Sequence, residues 1–187
     1  MLTEDYIMRL INQALAVLLT ALGLKKAGKY KEALQTFDQA LDSLLGLNAR
    51  LVDQLDDSML LDRLTFMGKL DVDRGLVLAD IYREEAEVYV LLQQPERATF
   101  LEQRSLRLYL EVFLASDVNQ NQDHIPIIET LRHKIVLNSL PIETRLALQD
   151  YLDRLLTLSD DLLAAKDLNR IGLQADLYFL ESLNLQK

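Results

Sequence analysis

Residues 21–40 read ALGLKKAGKYKEALQTFDQA. Ala21 and Leu24 close one apolar stripe at helical spacing, and Ala33, Phe37 and Ala40 open another. Between the stripes, Lys25 and Lys26 suit the negative C-terminal end of a helix. Gly28 supplies a residue that can take the left-handed conformation and stop it. Helices joined by only two or three residues must fold back on each other as an antiparallel hairpin. The alanines let the two backbones approach closely, and the larger Leu24 fills the adjoining groove. The stretch therefore specifies helix, tight turn, helix.

Upstream, a first helix is expected from about Glu4 to Ala27. Thr3 is placed to cap it, and Glu4 and Asp5 face the positive end of its dipole. Ile7, Leu10, Ile11, Ala14, Val17 and Leu18 extend the inward stripe. Leu15, Leu19 and Leu22 add a second apolar face, so the helix is expected to be buried on two sides, inside a bundle or against a second copy of the chain. The longest uncharged stretch, residues 10–24, contains Asn12, Gln13 and Thr20. It reads as too short and too polar for a membrane span of about 20 apolar residues. The acidic start, Met1 to Asp5, is unlike a secretory signal. Cytoplasmic location and no membrane association are expected.

Downstream, a second helix covers about Tyr30 to Leu45 and stops at Gly46. Its inward set is Ala33, Leu34, Phe37, Ala40, Leu41, Leu44 and Leu45. Residues 49–55 read as a short helix. Ser58 then caps another over Met59 to Met67, with Leu60, Leu61, Leu64 and Met67 inward and Gly68 as its stop. A longer helix follows from about Val72 to Leu92, weakened by Gly75 in its first turn. Its partner starts at Pro95, a favourable first helical residue, and runs to Ala115. Residues 116–123 hold a single apolar side chain and form the best linker. Helices at about 126–137, 142–165 and 168–183 complete the chain, with Asp150 and Arg154 as an i, i+4 pair in the second of them and a fraying tail from Asn184 to Lys187. All 187 residues are expected to form one all-α domain of about seven or eight helices.

The hairpins at about 4–45 and 72–115 share a pattern. Ala21, Leu24, Ala33, Phe37 and Ala40 are separated by 3, 9, 4 and 3; so are Ala86, Tyr89, Ala98, Glu102 and Ser105. This resembles the tetratricopeptide repeat, a helix–turn–helix unit of about 34 residues. Gly28-Lys29-Tyr30-Lys31-Glu32-Ala33-Leu34 also resembles its turn and second helix. The resemblance implies antiparallel hairpins in a right-handed stack with a concave binding face. Val17 and Thr20 stand near the places of the usual Trp and Gly, and Glu102 replaces an aromatic. The opening Asp5-Tyr6-Ile7-Met8-Arg9 with the helix behind it is similar to a bacterial protein family of unknown function, which implies an all-helical fold and supplies no site. Tyr6 and Arg9 read either as a contact surface or as packing and capping of the first helix.

Composition excludes several chemistries. There is no Cys, hence no disulfide and no thiolate. Twenty basic against 29 acidic residues give a net charge of −9, which argues against nucleic-acid binding. No Gly-rich phosphate loop and no Gly-x-Ser-x-Gly turn occur. His124 and His133, nine apart, read as a loop residue and a helix-surface residue without metal-ligand spacing. Asp117, Asn119 and Asn121 match the first, third and fifth positions of a calcium loop, but Gln122 stands where Gly is needed and Ile128 where the bidentate Glu should be. Pro126 restricts the segment further, and Glu129 comes one place late. Asp56-Asp57, Glu84-Glu85-Glu87 and Asp160-Asp161 read as solvated faces, with Arg83 paired to Glu87. Lys25, Lys26, Lys29 and Lys31 read as dipole compensation around the turn, or as a surface for an acidic partner.

No catalytic, cofactor-binding or metal site is assigned. The expectation is a non-enzymatic scaffold that binds a protein or peptide, with a possible homodimer through the first helix. The alternative is a small-molecule sensor or carrier with an apolar pocket between helices.

Overall fold

A computed structural model describes residues 4–117 and 121–185. The proposed Thr3 cap, Asn119 of the calcium-like loop and the last two residues of the tail lie outside that range. The protein is all-α, with antiparallel helix-pair contacts and eight helices of at least seven residues among those described. The chain divides into two compact units, Met1–Leu108 and Tyr109–Lys187, and the division falls inside a helix.

The first unit opens with α1 (Glu4–Lys26) and α2 (Tyr30–Leu45). Ala27 and Gly28 close the turn, with Gly28 at φ +73°. The amide of Lys29 donates to the carbonyl of Leu24 at 2.9 Å, tying off the end of α1. Ile11, Ala14, Leu18 and Ala21 of α1 are buried, as are Ala33, Phe37, Ala40, Leu41 and Leu44 of α2. The outer side of α1 is not covered: Met8 and Leu15 are exposed, and Leu19 is 69% exposed. One face of α1, not two, is buried within the chain. By length and composition, Asp5–Lys26 is also long and apolar enough to cross a membrane, against the reading of the 10–24 stretch alone.

The segment after Gly46 departs most from expectation. Asn48 caps α3 (Ala49–Gln54), accepting from the amide of Leu51 at 3.0 Å. Asp56, not Ser58, caps α4 (Asp57–Leu64), accepting from Met59 at 2.8 Å. The carboxylate one turn ahead of the amide outcompetes the hydroxyl two residues later. Helix α4 ends at Leu64, and the expected inward Met67 is 87% exposed. Strands β1 (Thr65–Phe66) and β2 (Lys69–Leu70) pair antiparallel around Met67 and Gly68, both at positive φ (+50° and +75°). Such a pair of left-handed residues matches the twist of a two-residue hairpin.

Asp71 caps α5 (Val72–Leu91), and α6 (Pro95–Ala115) returns along it. Ala86, Ala98 and Ser105 are buried, and Ser105 Oγ donates to the carbonyl of Ala79 at 2.9 Å. The small-residue positions of both hairpins thus lie inside. The α5–α6 turn repeats the α1–α2 turn bond for bond. Gln94 donates to Tyr89 at 2.9 Å as Lys29 does to Leu24, and Gln93 donates to Val90 at 3.0 Å as Gly28 does to Lys25. Gln93, at φ +58°, takes the place of Gly28.

The second unit holds the rest of α6, then α7 (Ile125–Lys134), α8 (Ile142–Leu155), α9 (Asp160–Ala164) and α10 (Arg170–Leu185). Single 3-10 turns stand at Gln122–His124 and Leu137–Ser139. The expected helix 142–165 is broken at 156–159. Ser159 starts α9, accepting from Leu162, and Arg170 donates to the carbonyls of Leu156 and Leu158 at 2.5 and 2.8 Å, which compensates the lost helical bonds. Asp167, at φ +59°, forms a third turn of the same kind, with Leu168 donating to Leu163 at 2.9 Å.

Candidate functional site

Among the residues flagged from sequence, the acidic runs change meaning most. Successive positions on a helix point about 100° apart, so Glu84, Glu85 and Glu87 do not form one solvated face. Glu84 and Glu87 both accept from Nζ of Lys25, at 2.5 and 2.6 Å, and bring α1 to α5. Burial opposes the Lys25 charge, but the hydrogen bonds and charges of the two glutamates outweigh it and hold its pKa above the usual value. Arg83 pairs with Asp80 and Glu84, at 3.0 and 2.9 Å. Lys29 meets Glu32 at 3.2 Å on the surface.

Glu85 goes inward. It is only 3% exposed, and its Oε2 is buried with no hydrogen-bond partner. Burial pushes its carboxyl up to about 8; Arg97 opposes that rise, and Asp38 and Asp53 add to it. Four elements supply these groups: Asp38 comes from α2, Asp53 from α3, Glu85 and Tyr89 from α5, and Arg97 from the first turn of α6. Nη2 of Arg97 lies 2.7 and 2.9 Å from the two carboxylate oxygens of Asp53, and the guanidinium sits over the rings of Tyr89 (5.7 Å) and Phe100 (5.3 Å). Asp38 is exposed, yet its pKa is raised, first by the protein around it and then by the charges of Asp53 and Asp42. Together they form an acidic cluster around Arg97, partly open to solvent and with aromatic rings on one side.

Beneath it lies Arg104, 4% exposed. It donates to the carbonyls of Val52 and Leu55 and approaches Asp57 at 3.5 Å. Its charge rests against the rings of Phe100 (4.7 Å) and Tyr82 (5.9 Å). Burial raises the Tyr82 hydroxyl to about 12. Arg104 thus ties the end of α3, and with it Asp53, to α6. The sequence pointed to none of Asp38, Asp53, Arg97 or Arg104, because each sits alone among ordinary helical neighbours.

In the second unit a closed network forms. Glu129 accepts from Arg132 (2.7 and 2.8 Å) and from the Tyr151 hydroxyl (3.0 Å), and Arg132 reaches Asp176 at 2.9 Å. Burial, then the charge of Glu129, raises the Tyr151 pKa well above its ordinary value. Phe113 packs edge-on against Tyr151 at 4.9 Å. Glu129, Arg132 and Asp176 thus each have a charged partner within this network. Arg154, expected to pair with Asp150, instead turns Nη1 to the carbonyls of Phe113, Leu114 and Ser116.

His124 is half-buried in a 3-10 turn, its ring 6.0 Å from Tyr109, and His133 is exposed with Nδ1 2.7 Å from the carbonyl of Glu129. The structure does not bring the two together. Asn121 is buried, and its side chain donates to the carbonyl of Val112, a packing role unlike that of a calcium ligand. Glu129, too, is committed within the network above. Asp160 accepts from Arg170 at 2.9 Å. Tyr6 and Arg9 are exposed on α1. Among the described residues, no three His, Cys, Asp or Glu side chains converge as a metal site.

No protein-family model, no curated protein and no solved structure matches the chain.

Proposed function

We propose that this chain is a non-enzymatic, cytoplasmic scaffold whose hairpins stack as right-handed tetratricopeptide-like repeats and hold a segment of another protein. The observation that carries the reading is the repeated turn. Residues 24–29 and 89–94 close with the same hydrogen bonds, and the small residues that follow each turn are buried. Recurring hairpins of this geometry favour extended recognition surfaces over enclosed catalytic sites. The partner surface is the notch of Asp38, Asp53, Tyr89 and Arg97. The test is selection of a random peptide library on the purified full chain, followed by calorimetric titration of the enriched peptides. Saturable binding at about micromolar affinity supports the reading. No enrichment above a blank support overturns it, and a melting shift with metabolites alone favours the carrier alternative.

A second copy of the chain is a further partner in this proposal, seated on the outer face of α1. Met8, Asn12, Leu15, Leu19, Leu22 and Lys26 follow at alternating spacings of four and three, the seam of a helix pair. Exposed Asp5 and Lys26 lie at opposite ends of α1, so an antiparallel pair joins unlike charges. Light scattering should give twice the chain mass, and Leu19→Glu should give the monomer. A monomeric native chain that floats with phospholipid vesicles would transfer this face to a membrane instead.

A further inference from the structure

The acidic cluster has a charge imbalance that the fold does not resolve. Two carboxylates, Asp38 and Asp53, and the neutral, buried carboxyl of Glu85 surround one guanidinium, that of Arg97. Arg97 is already committed to both oxygens of Asp53 and pressed against two rings. Neither Asp38 nor Glu85 has a cation at hydrogen-bonding distance among the described residues, and Oε2 of Glu85 has no donor. A buried polar atom without a partner is rare in a native interior, and one lying behind an open rim points to a missing donor. The rim is open: Asp38 is exposed, the Asp53 side chain is 41% exposed, Phe100 is 38% exposed, and Tyr89 is half-buried one turn from Glu85. Carboxylates beside an aromatic face suit an organic cation, which gains from both the charge and the ring.

We propose that the notch between α2, α3, α5 and α6 receives a lysine or arginine side chain of the partner segment, bound by Asp38 and Glu85 and flanked by Tyr89. This rests on the scaffold reading and specifies the chemistry of its partner. Because burial keeps Glu85 protonated near neutral pH, the arriving cation draws the proton from its carboxyl into solvent, and the carboxylate so formed pairs with the ligand charge. Arg97 stays on Asp53 and holds α3 in place throughout.

The probe is tetralysine amide, titrated calorimetrically into the full chain at pH 7 and about 0.15 M salt, in two buffers of different ionisation heat. Expected are one-to-one saturable binding, proton release that differs between the buffers, and no binding after acetylation of the lysines. Asp38→Asn and Glu85→Gln should each weaken binding about tenfold, and Glu85→Gln should abolish the proton release. Asp153→Asn, an exposed carboxylate removed from α8, should change affinity by less than about twofold, as a diffuse surface charge does. Unsaturable uptake, or equal loss in all three variants, would reduce the effect to the overall negative charge and overturn the proposal. Library peptides that bind, lack basic residues and are not displaced by tetralysine would end the cationic notch while leaving the scaffold standing. Tetralysine binding that depends on Asp38, with no library peptide enriched, would keep the notch and end the scaffold.

Discussion

The α1–α2 and α5–α6 hairpins close with the same turn, 65 positions apart by the offset of Ala33 and Ala98, yet they are filled differently. The first is apolar at its crossing, with Phe37 fully buried between Ala33 and Ala40. The second places Glu102, half-buried, where Phe37 stands, and surrounds its crossing with Ser105, Arg104 and Glu85. One turn geometry thus serves a packed hairpin and a polar one. The small residues are buried in both, while the side chains at the remaining positions decide whether the crossing is apolar or polar.

That contrast can be broken by substitution. Phe37→Ala should cost about 3–5 kcal/mol by urea unfolding, since it empties a fully enclosed position. The equivalent Glu102→Ala should cost less than Phe37→Ala, since it empties only a half-buried position. Equal losses would mean the two hairpins are filled alike after all. Arg104→Ala should cost about 2–4 kcal/mol, because it strips donors from the carbonyls of Val52 and Leu55 and opens a space against Phe100. Amide exchange should then accelerate first in residues 49–64, whereas uniform acceleration over both hairpins would deny that Arg104 fastens α3.

Glu85 sharpens the contrast through pH. Its folded carboxyl is raised to about 8 from the ordinary value of 4.5. The stability it contributes is therefore complete below pH 4.5 and is lost as pH climbs through 8, where the buried carboxyl must ionise. The groups that face it are Asp38 on α2, Asp53 on α3, Tyr89 on its own helix and Arg97 on α6. Glu85→Gln should flatten the stability curve between those pH values and leave the variant more stable than the native chain at pH 8 by at least about 1 kcal/mol. Parallel curves would show that Glu85 does not titrate there. The smallest effects belong to the turns. Gly28→Ala forces a side chain into left-handed backbone and should cost about 1 kcal/mol, whereas Gln93→Gly relieves that conformation and should gain up to about 1 kcal/mol, both read from melting curves.

The hairpins were legible because local signals agreed. Gly28 and Gly46 stop helices at positive φ, Pro95 starts one, and the alanines sit at the spacing of a close crossing. Residues 56–70 misled because the apolar spacing of Leu60, Leu64 and Met67 continues past the true end of α4. Met-Gly is also a weaker hairpin signal than Asn-Gly, though its glycine is in place. The break after Leu155 was hidden for another reason. The arginine that satisfies the freed carbonyls sits 12 and 14 residues away, on a different helix. The notch was illegible because its members come from four elements, and because three glutamates close in sequence look like one surface until the helical rotation separates them.

The small β1–β2 hairpin carries its Met67 thioether almost fully in the open. Among the described residues no sulfur atom lies in the core, since Met8, Met59 and Met67 are all exposed and the chain has no cysteine. Peroxide or hypochlorous stress therefore finds its reducing equivalents on the outside of the molecule. Sulfoxide formation should begin at the tip of that hairpin, away from the packed interior.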